Sequence, residues 1–94
     1  MATDADECDL GGGTTAAWSR NGDGDVVGLV ERHVCNGEKA GGAVMFVLGY
    51  GPTQTWTIEA GTPGEWDGLT LMPSIACHSC SHHGWIRDGH WVAA

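Results

Sequence analysis

Cations are scarce in this chain. Four Lys or Arg residues stand against twelve Asp or Glu, for a formal charge of −8 with neutral histidines. Gripping nucleic-acid phosphates needs clustered cations, and these four are scattered. Direct binding to nucleic acid, and to an anionic membrane surface, is excluded on that ground. No run of about 18 apolar residues is present, so no helical membrane span is expected. Residues 1–10 are acidic and lack a basic segment followed by an apolar one, so they do not read as a secretory leader. The chain is therefore expected in the cytoplasm of the cell that makes it. Phenyl and phenol rings are nearly missing, with one Phe and one Tyr.

The residues that are present pose a stability problem. Ninety-four residues make one domain. A domain of this size buries only about 60–65% of the surface its unfolded chain exposes. Sixteen glycines add backbone entropy that folding must overcome. The apolar mass is concentrated in Trp18, Trp56, Trp66, Trp85 and Trp91. Such a domain needs a staple of metal, disulfide or partner.

Period-2 patterning and turn residues predict strands throughout. Residues 1–13 are acidic and end in Gly11-Gly12-Gly13, and read as a flexible arm ahead of one domain over 14–94. An arm of this kind calls for another chain to order it. Residues 14–19 suit a short strand or turn around Trp18. Asn21-Gly22-Asp23-Gly24-Asp25 reads as a turn; it lacks the terminal carboxylate of a calcium loop. Residues 26–34 form a strand, and Asn36-Gly37 a turn. The apolar run over 43–50 is expected as the central strand. Residues 53–59 and 69–71 are expected as two further strands, with a Gly/Pro-rich loop between. Asp88-Gly89 joins two β-forming segments, which predicts a terminal hairpin with Ile86 facing Trp91 and Arg87 facing His90. The expected fold is all-β: a small compact sheet or sandwich of short antiparallel strands, stapled by metal.

The densest chemistry lies in Cys77-His78-Ser79-Cys80-Ser81-His82-His83. Thiolate and neutral imidazole are the ligands of tetrahedral Zn²⁺, and C-x-x-C is the spacing that wraps two sulfurs around one ion. In a reducing compartment four cysteines favour metal over disulfides. The expected ligand set is Cys35, Cys77, Cys80 and His83 around one structural Zn²⁺. His33, His78, His82 and Cys8 are the alternatives. A redox-active Cys77–Cys80 pair is disfavoured, because no helix follows the motif.

No catalytic constellation stands out. Ser74 follows Pro73 without a G-x-S-x-G elbow. Glu59 and Glu65 are candidate bases for a catalytic zinc only by default. The glycines lack the lysine of a phosphate loop.

Thr70-Leu71-Met72-Pro73-Ser74-Ile75, followed by Cys80-x-x-His83-x-x-Ile86-x-x-Gly89, resembles the C-terminal signature of DUF6527, a family of small bacterial and bacteriophage domains. Cys35 and Trp56 match, in order, its upstream cysteine cluster and its Trp-containing strand. The resemblance covers roughly residues 31–92. Carried across position by position, it implies Cys35, Cys80 and His83 as ligands. Cys77 departs from the pattern and rests on the C-x-x-C spacing alone. The resemblance implies no activity. It implies a phage or prophage setting, with some relatives near bacterial ubiquitin-like conjugation genes.

The functional expectation is a non-enzymatic protein-binding module, such as a capsid decoration or minor virion protein of a bacteriophage. Its partners would be other phage structural subunits, its final location the virion, and Trp18 and Trp66 its exposed anchors. The first alternative is an intracellular factor that binds a host defence or ubiquitin-like conjugation protein. The second is a small zinc hydrolase or redox protein.

Overall fold

The computed structural model describes residues 6–50 and 54–94, and every regular strand or helix element among them is a strand. Strands β1 (Glu7–Gly11), β2 (Thr14–Arg20), β3 (Val26–Cys35) and β4 (Glu38–Met45) form one sheet in that order. Strands β5 (Thr57–Ala60) and β6 (Thr70–Met72) form a two-stranded ribbon. Strands β7 (Ile75–Ala76), β8 (His83–Arg87) and β9 (His90–Ala93) form a third sheet. Every pairing is antiparallel. The protein is thus nearly all-β, as its alternating pattern and turn residues predict.

Two turns fix the register around the site. Asn36 and Gly37 both have positive φ, at 53° and 86°, and so do Asp88 and Gly89, at 50° and 76°. Two successive left-handed residues match the twist of a two-residue hairpin. The first turn sets Cys35 opposite Glu38, and the second sets Arg87 opposite His90 and Ile86 opposite Trp91. At the other turn, Asn21 Oδ1 accepts from the amides of Asp23 and Asp25, so a side-chain cap closes it.

β3 shows why the site lies where it does. Leu29, Glu31, His33 and Cys35 are buried, while Arg32 and Val34 are exposed. Side chains two apart share a face of a strand. One face of β3 therefore begins apolar and ends in chemistry. Leu29 joins Leu10, Trp18, Val44, Leu69, Leu71, Ile75, Ile86 and Trp91 in the core.

Three expectations need correction. Residues 7–11 of the expected arm form β1, paired with β2, and Leu10 is 1% exposed. The chain orders this segment itself, through the core contact of Leu10 and a turn of three positive-φ glycines, 11–13; residues 1–5 lie outside the described residues. Trp18 and Trp66 are not exposed anchors. They stack at 4.1 Å between ring centroids, with Trp18 only 6% exposed. Finally, the strand expected over 43–50 ends at Met45, and its start lies back at Glu38. The Asn36-Gly37 turn pairs the polar and glycine residues of 38–42 with β3 whatever their propensity.

Candidate active site and metal cluster

The β7–β8 connection carries the candidate chemistry. Ala76 pairs with His83 and Ile75 with Gly84, and the Cys77 amide donates to the His82 carbonyl at 2.9 Å. Ser74, two residues before Ala76, therefore rises on the same face as His83. The two side chains meet: Ser74 Oγ lies 2.9 Å from His83 Nε2. Ser74 is half-buried and His83 exposed, so the pair is open to a large substrate. The Trp56 indole N–H donates to the Ser74 carbonyl at 3.4 Å and holds the backbone there. The Trp85 ring flanks His83 at 5.8 Å, and the Arg87 guanidinium sits 4.7 Å over Trp85.

Behind this pair the loop of residues 77–82 folds against the end of β3. His33 and Cys35 from β3 meet Cys77 and Cys80 from the loop, with one donor atom of each within 4.8 Å of all the others. The cluster can hold a metal ion. Two of its edges have the lengths such an ion sets. A tetrahedral ion with sulfur ligands at about 2.3 Å and nitrogen at about 2.0–2.1 Å sets neighbouring sulfurs about 3.8 Å apart, and sulfur and nitrogen about 3.6 Å apart. Cys35 Sγ to Cys77 Sγ is 3.8 Å, and Cys80 Sγ to His33 Nε2 is 3.6 Å. Asn36 ties the loop to the β3–β4 turn, donating to the Ser79 carbonyl at 3.0 Å.

Glu31 organises the far side of the cluster. Its carboxylate is buried and accepts from His33 Nδ1 at 2.6 Å, while His82 Nε2 lies 3.2 Å from the same oxygen. With a proton on Nδ1, His33 presents Nε2 to the sulfurs, as a metal-binding histidine requires. His82 stacks between His33, at 4.0 Å, and Trp91, at 4.5 Å. The same ring nitrogen lies 2.9 Å from Thr14 Oγ1.

The groups of the cluster shift one another in opposite directions: Cys77 moves toward the thiolate that a metal takes, Cys35 and His33 toward their protonated forms. The Ser79 amide beside Cys77 Sγ, at 3.5 Å, heads the causes that bring the Cys77 thiol down to about 6. Cys35 is pushed up to about 12, first by its hydrogen bond with Cys80 and then by burial. For His33, burial works against the charged form, but the hydrogen bonds to Glu31, Cys77 and Cys80 outweigh it and raise the value to about 9. Burial, with the nearby His33, lowers His82.

The structure thus brings Cys35, Cys77 and Cys80 together, with His33 as the fourth member. His83 lies on Ser74 instead. His78 is exposed, His82 stacks beside the cluster, and Cys8 lies outside it, with its thiol 3.6 Å from the Asp9 carbonyl. Sequence reasoning passed over Ser74 as a functional residue. The usable signal was its place in Thr-Leu-Met-Pro-Ser, ahead of the Cys80-x-x-His83 spacing.

A hydroxyl against an imidazole is an arrangement in which a histidine can serve as base to a serine nucleophile. The family described as bacterial ubiquitination-like system serine protease (BubE) matches residues 30–94, well over half of the chain, and the chain belongs to that family. No curated protein and no solved structure matches it. Membership overturns the expectation of a non-enzymatic module, since the family is one of serine proteases. It makes the chain a component of a bacterial ubiquitination-like system, which agrees in part with the conjugation-linked alternative. It lends no support to a capsid or virion role.

Proposed function

We propose that this chain cleaves acyl bonds with Ser74 as nucleophile and His83 as general base. One observation carries the reading: in a chain of a serine protease family, Ser74 Oγ sits 2.9 Å from His83 Nε2 on an accessible face. Ser74 Oγ attacks the carbonyl carbon of the scissile bond while its proton passes to His83 Nε2. The protonated imidazole then gives that proton to the departing nitrogen or oxygen. A water molecule, deprotonated in turn by His83, hydrolyses the Ser74 ester and restores the hydroxyl. No carboxylate contacts His83 among the described residues, so the reading is of a dyad. The family name directs the substrate class: an amide or ester formed or processed by a ubiquitination-like system, with a protein as partner.

A competing pair, Thr14 with His82, is less suited. Thr14 is fully buried, and Glu31 lies on the same nitrogen of His82 that faces Thr14, so it is not placed to orient the ring from the other nitrogen. Thr14 also precedes the matched residues 30–94. By contrast, Ser74 and His83 both fall within the residues that resemble DUF6527, and we take that signature and the family match to describe the same machinery.

The cluster of His33, Cys35, Cys77 and Cys80 is proposed to hold a structural Zn²⁺. The donor set suits zinc, and four protein ligands leave no open position for chemistry. Bound there, the ion would lock the loop whose two ends carry Ser74 and His83.

A fluorophosphonate probe tests the dyad. Wild-type protein should be labelled at Ser74, with Ser74→Ala unlabelled and His83→Ala strongly slowed. Peptide or conjugate hydrolysis should fall by about 10³-fold or more in Ser74→Ala, with an unchanged melting temperature. A Ser74→Ala protein that still hydrolyses would remove the proposal.

A further inference from the structure

One groove is left unexplained by the dyad and the cluster. Its volume is about 360 Å³, far more than an ion fills. One wall is β4, over Ala40, Gly41, Gly42 and Ala43; the other is β7 with the start of the 77–82 loop, and Trp56 stands at its side. Both walls are edge strands. β4 ends the first sheet and β7 ends the third, so each has a backbone edge without a strand partner among the described residues. Unpaired edges are templates for an added strand. The groove adjoins the backbone of the nucleophile, although neither Ser74 nor His83 lines it. Its wall residue Ile75 follows Ser74 directly, and Trp56, which lines it, holds the Ser74 carbonyl.

The β4 wall has almost no side chains, and its two glycines differ. A Cβ on Gly41 would run into the Glu31 carbonyl, so Gly41 is required by the sheet itself. A Cβ on Gly42 meets no atom within 4 Å, and Gly42 does not need a positive φ. The fold therefore does not require glycine at position 42. Gly42 pairs with Glu31, and directly opposed residues project from the same face of a sheet. A side chain on Gly42 would rise into the groove that Glu31 and His33 also line.

We propose that this groove receives an extended segment of the polypeptide substrate, laid as a strand between β4 and β7, with small side chains where it passes Gly42. The inference rests on the Ser74–His83 reading and deepens it. Bare walls exclude bulky residues sterically, while two edges supply backbone hydrogen bonds that do not depend on side chains. Gly42 acts as a specificity determinant because it keeps the space open.

Two measurements separate this proposal from the dyad. First, an extended Gly/Ala peptide is titrated into ¹⁵N-labelled Ser74→Ala protein and followed by NMR. Amide shifts should centre on residues 40–43 and 75–76 and be lost when Gly42→Leu is added. Ala76→Leu, on the opposite and exposed wall, should weaken them as well and guards against a Gly42 variant that misfolds. Second, Gly42→Leu with Ser74 intact should lose at least tenfold in kcat/KM for polypeptide substrates while keeping its rate of fluorophosphonate labelling. Shifts elsewhere on the surface, or peptide cleavage by Gly42→Leu at the wild-type rate, overturn the groove. Failure of wild-type labelling strikes the dyad alone, and the NMR titration still decides the groove.

Discussion

At the scale of single residues, Glu31 shows how one buried carboxylate can serve two histidines. It lies on the cluster-facing side of β3, 2% exposed, with no Lys or Arg beside it among the described residues. Burying an unpaired carboxylate is costly, and here the two imidazole partners offset that cost. Its main effect is to fix the His33 tautomer. Glu31→Gln keeps the shape but weakens acceptance from Nδ1. Metal affinity should then fall about 10–100-fold, the usual consequence of losing an outer carboxylate. A chelator-competition titration against the wild type measures this; equal affinities would show that Glu31 only fills space. Part of this arrangement was legible from residues alone. Cys77-x-x-Cys80 announced a knuckle, and His33-Val34-Cys35 is the i, i+2 spacing that puts two ligands on one strand face. The choice of His33 over His83 was not legible, because local spacing favours the nearer histidine while strand pairing decides which one points at the sulfurs.

At the scale of elements, the hairpins were the most readable feature. Asn36-Gly37 and Asp88-Gly89 announce their turns because few other pairs adopt two positive φ values without strain. The second turn does more than reverse the chain. The Gly89 amide donates to the Leu69 carbonyl at 2.9 Å, and a Cβ on Gly89 would press on the Trp66 carbonyl. Gly89→Ala therefore combines a disfavoured φ with a backbone clash. It should destabilise the fold by about 1–3 kcal/mol, read as a lower urea midpoint with an unchanged slope. A midpoint equal to that of the wild type would mean the hairpin can shift freely. β4 was poorly legible for the opposite reason. Glu38, Lys39 and the Ala40–Ala43 segment have weak strand propensity, and only the turn before them and the partner β3 make them a strand.

At the scale of the whole molecule, the question is what holds three small sheets together. The core is Leu10, Trp18, Leu29, Leu69, Leu71, Ile86 and Trp91 with a few smaller residues, a modest interior for a chain with sixteen glycines. The Cys/His cluster joins the first sheet, through His33 and Cys35, to the third, through the loop ahead of β8. A metal that binds only the folded arrangement contributes its binding free energy to folding. Native mass spectrometry should find one Zn²⁺ per chain. Stripping it with a chelator should lower the melting temperature sharply and abolish labelling of Ser74, since the loop between Ser74 and His83 loses its anchor. A metal-free chain that melts at the same temperature and still reacts would assign the cluster no structural role.

The sequence by itself determined the strand-rich class, the positions of the tight turns and the concentration of thiols and imidazoles. These follow from short-range chemistry: alternation along a strand, left-handed residues at a turn, ligand spacing in a knuckle. Only the tertiary structure decided which histidine joined the sulfurs and which met a serine. That assignment depends on the register between β7 and β8 and on how the end of β3 lies against their loop. Pairings between distant segments are set by the burial of the whole core, and no local run of residues encodes them.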